Sequence, residues 1–155
     1  MLSRIRARLD KLVAHMKNKY GEEDKKVIRM ISRYGGIEMS ESSNKDGYET
    51  YTRDKGEEMV FCLRHKAKGD IHDINTLMFV AIHELAHVYS SSYHHTKEFW
   101  ANFKFLLREA THINIYNAVN YASQPVEYCN MTITDNVLYN TTLRKTIKNG
   151  KTVYV

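Results

Sequence analysis

The chain has a single proline and only seven glycines in 155 residues, which leaves little material for long flexible linkers. No stretch approaches the roughly 20 apolar residues that a helical membrane span needs. No internal repeat or low-complexity tract is visible. Only two cysteines occur, Cys62 and Cys129, far apart and in unlike contexts. A small secreted domain usually carries more, so the expectation is an intracellular, reducing environment. The start, MLSRIRARLDKL, alternates bases with hydrophobes and so has no signal-peptide core. An Arg-rich amphipathic start also suits a mitochondrial presequence, but Asp10 and the acidic EED at 22–24 argue against one.

What is present is ordinary for a folded globular protein: 43% hydrophobic and 26% charged residues. The length fits one domain with a real core and is too short for two. The net charge of +5 is unevenly spread. Residues 1–20 hold Arg4, Arg6, Arg8, Lys11, Lys17 and Lys19 against Asp10 alone, and residues 141–155 hold Arg144, Lys145, Lys148 and Lys151 with no acid. Such ends can contact phosphate backbones. From charge alone a solvated helix face and a solubilising tail are the favoured account.

Leu2, Ile5, Leu9, Leu12, Val13 and Met16 recur at helical spacing, predicting a helix over 2–19 that ends near Gly21. A second helix follows Glu22-Glu23-Asp24, carries Val27, Ile28 and Ile31 inward and stops at Gly35-Gly36. Residues 37–39 read as a short strand and SESSNKDG as a loop. GYETYTRD and EEMVFCLRH read as a hairpin turning at Asp54-Lys55-Gly56. Asp73 is a candidate N-cap for INTLMFVAIHELAHVYS, which is apolar round most of its circumference and so predicts a central buried helix. A further helix is expected over about 96–110, with Phe99, Trp100, Phe103, Leu106 and Leu107 along one side. Beyond Asn120 the chain reads as irregular, with a short strand at MTITD and an edge strand at KTVYV. Helices, a small sheet, then a buried helix with a packed neighbour make an α+β fold.

Within that central helix stands His83-Glu84-Leu85-Ala86-His87. Residues i and i+4 share a helix face one turn apart, so both imidazoles can reach one zinc ion at about 2.0–2.1 Å. Glu84 projects beside the pair, where its carboxylate can take a proton from a zinc-bound water as that water attacks a carbonyl. Two core histidines near a stray glutamate are the competing account, but burying three polar groups in so apolar a helix is costly without partners. A catalytic zinc needs a third protein ligand and an open position. His94 and His95, seven and eight residues past His87, and Glu109, 22 residues past it, are the candidates; Glu98 is a further one but sits inside the helix start. Tyr128 and Tyr93 are candidate oxyanion donors, although packing is the commoner use of a tyrosine. Met131 is a candidate floor under the metal, with core filling preferred. Cys129 could in principle ligate and inhibit.

HELAH, a following histidine, then three residues and Phe99-Trp100 resemble the minimal zinc peptidases of the WLM and SprT-like groups over about residues 48–110. The stretch from Asp54 to His87 and the later EYCNMTITDN look like a subgroup of large DNA viruses. The resemblance implies a compact zincin-like metallopeptidase domain, a small sheet packed on the HExxH helix. The single domain 1–155 is expected to divide into an N-terminal helical part (1–36), a catalytic core (48–112) and a C-terminal loop, strand and basic tail (121–155). The resemblance also implies His95 as third ligand, four residues before Phe99, with His83, His87 and Zn2+, and Glu84 as base. The connector after His87 is two residues longer than the family's usual step, which leaves His94 open. The implied activity is a zinc-dependent endopeptidase acting on proteins, with DNA-associated or DNA-crosslinked proteins as substrates and DNA met by the basic termini. The implied setting is cytoplasm or nucleus, or host cell or virion. The alternative is a zinc-stabilised nucleic-acid-binding or regulatory module without catalysis. An edge strand at 57–64 is expected to align an extended peptide by β-addition.

Overall fold

The computed structural model describes residues 1–43, 49–65, 69–129 and 131–140, together with the backbone of 145–148 and 151–154. The SESSNKDG loop and the side chains of the basic C-terminal tail lie partly or wholly outside the described residues. The fold is α+β. Helix α1 (Leu2–Tyr20) buries Ile5, Leu9, Leu12, Val13 and Met16, the stripe its spacing predicts. Asp24 caps α2 (Lys25–Tyr34) by accepting the Lys26 N–H at 2.8 Å. The inward face of α2 is Val27, Met30 and Tyr34. Ile28, expected to point inward, is 49% exposed, because it lies a quarter-turn off that i, i+3, i+7 row.

Three short strands follow: β1 (Glu38–Glu41), β2 (Tyr51–Arg53) and β3 (Glu58–Phe61). They form one sheet in the order β1-β3-β2, with β1 parallel to β3 and β2 antiparallel to it. This corrects the expectation that 57–64 is an edge: β3 is the central strand, its Met59, Val60 and Phe61 are buried, and β2 is an edge instead. A continuous apolar run suits a strand buried on both faces and paired on both sides.

Helix α3 (Ile74–Tyr89) is capped by Asp73, which accepts the Thr76 N–H at 3.1 Å. Leu77, Met78, Ala81, Ile82, Leu85, Ala86, Val88 and Tyr89 are wholly shielded from solvent. Helix α4 (Lys97–His112) starts at Thr96, whose hydroxyl accepts the Phe99 N–H at 3.2 Å. It lays Phe99, Phe103, Leu106, Leu107 and Ala110 into the core. Fully burying an aliphatic or aromatic side chain stabilises by about 1.5–3 kcal/mol each, so α3 and its neighbours anchor the whole molecule.

After α4 the chain forms a hairpin of β4 (Val126–Tyr128) and β5 (Met131–Ile133), a 3-10 turn (Val137–Tyr139), and a second hairpin of β6 (Lys145–Lys148) and β7 (Lys151–Tyr154). The β4–β5 hairpin returns to the first sheet, bringing Cys129 within 6.5 Å (Cα–Cα) of Cys62, and the two are joined as a disulfide. The expectation of two cysteines in unlike contexts is thereby corrected: no thiolate is left at Cys129 to ligate a metal, and the pair no longer speaks for a reducing compartment. Cys129 stands in the left-handed region at φ 50°, and its N–H donates to His72 Nε2 at 3.1 Å.

Candidate metal centre

One helical turn separates His83 from His87 on α3, and their ring centroids are 5.1 Å apart. The connector from Ser90 to Thr96 turns back over this face and delivers His95, whose ring lies 5.0 Å from each of the other two. One donor atom from each of His83, His87 and His95 falls within 4.8 Å of the others, so this cluster could hold a metal ion. His94 is not in the group; it stands at φ 68° and lines the neighbouring cleft.

Glu109 is also elsewhere. Its carboxylate accepts from His15 Nε2 at 2.7 Å, from Lys19 Nζ at 3.2 Å and from the Tyr20 hydroxyl. It ties α4 to α1, and these partners hold its carboxyl below the usual range against the opposing effect of burial.

The aromatic residues of α4 support the three imidazoles from behind. Phe99 stacks on His87 with centroids 4.3 Å apart and lies 4.8 Å from His95, while Trp100 lies 5.6 Å from His95. This packing affects the chemistry of the ring nitrogens. Burial, reinforced by the neighbouring imidazoles, pushes His87 down to about 3. Burial and His83 lower His95 as well, with Glu84 and Asp135 pulling the other way. Neutral imidazole is the ligating form, so the donor set fits a divalent cation such as zinc, with three nitrogens and one side facing solvent.

Glu84 is 3% exposed, and its carboxylate lies 3.4 Å from His83 Nδ1. His83 and Glu84 stand where two clefts meet. One, of about 400 Å³, has Phe79, Val80 and Ile133 as apolar wall, with Glu49 and Asp135 at its rim. The other, of about 530 Å³, runs along Thr50–Lys55 past His87, Tyr93 and His95. Met131 borders the first cleft and is 59% exposed, which makes it neither core filler nor a floor under the cluster. Tyr93 is exposed on the second cleft, whereas Tyr128 is buried in the wall of the first.

Lys55 carries no signal in the sequence, and Glu98, a possible ligand by sequence, lies outside the cluster. Lys55 is 7% exposed and reaches from the β2–β3 turn to the end of α3. Burial and the nearby Arg33 lower its ammonium's affinity for the proton, and Glu98 opposes them. Glu98 itself accepts the N–H groups of Ser91 and Ser92. A lysine in an Asp-Lys-Gly turn reads as solvated, and only the tertiary fold reveals its partners.

The family model of the WLM domain matches residues 50–150, which takes in α3, the connector, α4 and the β4–β5 hairpin. An uncharacterized protein of Acanthamoeba polyphaga mimivirus is 35% identical over 130 residues, covering 84% of this chain and 66% of that protein. An uncharacterized protein of Invertebrate iridescent virus 6 is 35% identical over 81 residues, 51% of this chain and 45% of that protein. The chain thus spans just under two thirds of the first relative and less than half of the second. No solved structure matches it. On the match over residues 50–150, the chain belongs to the WLM family.

Proposed function

We propose that the protein is a zinc-dependent endopeptidase, with His83, His87 and His95 as the metal ligands and Glu84 as the general base. The observation that carries this is the buried carboxylate of Glu84 beside three clustered imidazoles, at the junction of two clefts. A purely structural zinc site closes with a fourth protein ligand and needs no base. Bound zinc supplies Lewis acidity, which polarises the scissile carbonyl and makes water nucleophilic near neutral pH. Glu84 takes the proton from the attacking water and returns it to the leaving amine. The apolar wall beside Glu84 helps to exclude bulk water from the site. A substrate strand can run along β2, an outer strand of the three-stranded sheet that borders the second cleft, and so cross the metal in extended form.

For substrates, we infer proteins held on or crosslinked to DNA. Arg4, Lys11 and Lys17 are exposed along α1, and the chain carries a net charge of +5. Contacts of that kind release counterions and weaken steeply with salt. The viral relatives favour a host cell or virion as the setting, and no helix among the described residues is long and apolar enough to cross a membrane.

The test is to measure bound zinc in the purified chain and follow cleavage of a DNA-binding protein with and without DNA, using Glu84→Gln as control. Stoichiometric zinc with DNA-stimulated cleavage that Glu84→Gln abolishes is expected. Zinc with no Glu84-dependent cleavage under any condition would instead indicate a zinc-stabilised binding module.

A further inference from the structure

The end of α3 leaves its last carbonyls without helical partners, as every helix does, and here each one can be accounted for. The Ala86 oxygen accepts the Ser90 N–H at 2.9 Å and the Ser90 hydroxyl at 2.6 Å. The Val88 oxygen accepts from Arg33 at 3.1 Å, and the Tyr89 oxygen from Arg29 at 3.4 Å. Lys55 takes the rest. Its ammonium donates to the carbonyls of His87 at 3.0 Å, Ser90 at 2.8 Å and Ser92 at 2.6 Å. An ammonium has three donors, and all three are used on one short stretch of backbone. The same nitrogen lies 4.6 Å above the ring of Tyr93.

This arrangement has a backbone cost. Asp54 and Lys55 both stand in the left-handed region, at φ 46° and 56°, where residues with a Cβ are uncommon. Such conformers persist where the surroundings over-determine them, and the three carbonyls do so for Lys55. Gly56 completes the turn at φ 142°, where an added Cβ would stand 3.1 Å from the Arg33 carbonyl oxygen. The turn is therefore built against the end of α2 at Gly56 and reaches the end of α3 through Lys55.

The connector that bears His95 is held at both ends, with Glu98 accepting the N–H groups of Ser91 and Ser92 between them. On its near side Lys55 fixes the backbone at 90 and 92; on its far side His95 packs on Phe99 and Trp100. Only Tyr93 and His94 lie between Ser92 and His95, and His94 absorbs the bend at φ 68°.

We propose that Lys55 is the positioning residue for His95: by holding the carbonyls of His87, Ser90 and Ser92 on one ammonium, it sets where the connector presents the third imidazole to His83 and His87. This rests on the metal-binding part of the proposed function. Lys55 supplies no donor atom to the cluster and acts through backbone: on His95 through the carbonyls of Ser90 and Ser92, and more weakly on His87 through its own carbonyl.

The test is a cycle of four full-length chains: wild type, Lys55→Met, His95→Ala and the double variant. Co2+ is the probe, read by its visible absorption and by competition with a chelator. Lys55→Met is expected to weaken Co2+ binding about 10–100-fold, the usual effect of losing an outer support of a ligand, and to change the absorption band as one nitrogen is lost. In the His95→Ala background the same substitution is expected to weaken binding far less, since only its bond to the His87 carbonyl is then left to matter. An equal loss in both backgrounds, or no loss in either, overturns the proposal, since a cap serving only stability does not distinguish them. Where Lys55→Met fails to fold, Lys55→Gln, which keeps an amide donor, carries the same cycle. A wild-type chain that binds neither Co2+ nor Zn2+ overturns the proposed function itself, and this inference with it.

Discussion

The hydroxyl of Tyr128 donates to the carbonyl oxygen of Cys62 at 2.7 Å. The Cys62 N–H in turn donates to Thr50 Oγ1 at 2.8 Å, and the Thr50 hydroxyl meets the Tyr128 oxygen. The three groups close a ring that ties the β4–β5 hairpin to the end of β3 and to the residue before β2. With its proton on Cys62, Tyr128 is not placed to serve as an oxyanion donor. Burial pushes its hydroxyl well above the ordinary tyrosine value, with Thr50 pulling the other way.

Tyr128→Phe leaves the Cys62 carbonyl without this donor and Thr50 without its acceptor. The expected loss is about 1–3 kcal/mol, the usual result of stranding a buried polar group. Urea unfolding reads it as a lower midpoint at unchanged slope. A midpoint equal to the wild type's would mean that the ring does not hold the hairpin.

The disulfide beside this ring spans 67 residues of sequence. Closing a loop of that length in the unfolded chain is worth about 4 kcal/mol in the chain-entropy account. The oxidised protein should therefore unfold at clearly higher urea than the same protein treated with a thiol reductant, and Cys62→Ser should match the reduced form. Indistinguishable midpoints would show that the bridge does not constrain the chain in solution.

Three of the candidates for third ligand separate by metal content. His95→Ala is expected to lose stoichiometric zinc. His94→Ala and Glu109→Gln should retain it, since neither residue belongs to the cluster. Glu109→Gln should instead lower stability by about 1–3 kcal/mol, because the pairing with His15 and Lys19 is weakened. Zinc lost from Glu109→Gln and kept by His95→Ala would reverse the assignment.

The metal-free protein should lose stability in acid. His87 is depressed from 6.5 to about 3, and His72 and His95 are lowered in the same direction. Between those values the unfolded chain binds protons that the folded chain does not. The contribution is therefore complete above about pH 6.5 and is lost as pH falls toward about 3. Urea midpoints of metal-free protein at about pH 7.5 and about pH 5 check the sign, with the lower midpoint expected in acid. Zinc affinity should fall over the same range, since protons compete for the ring nitrogens.

Helix geometry alone puts His83 and His87 on one face, because a four-residue step is nearly one turn wherever the helix lies. The cap at Asp73 and the buried stripe of α1 were legible for the same reason: each depends on residues within a few positions of itself. Ile28 was misread because the row it belongs to is set by which neighbour α2 meets, and the apolar count of α2 does not contain that.

The sequence by itself determined the α+β order, the central apolar helix and the i, i+4 imidazole pair, all products of short-range spacing. Only the tertiary structure decided that β3 is central rather than an edge, that Cys129 meets Cys62, that Glu109 turns toward α1, and that Lys55 closes the end of α3. These four depend on contacts 20 to 94 residues apart along the chain. Propensity and periodicity are local quantities, whereas such contacts form only when hydrophobic burial brings distant segments together and offsets the entropy of closing the loops between them.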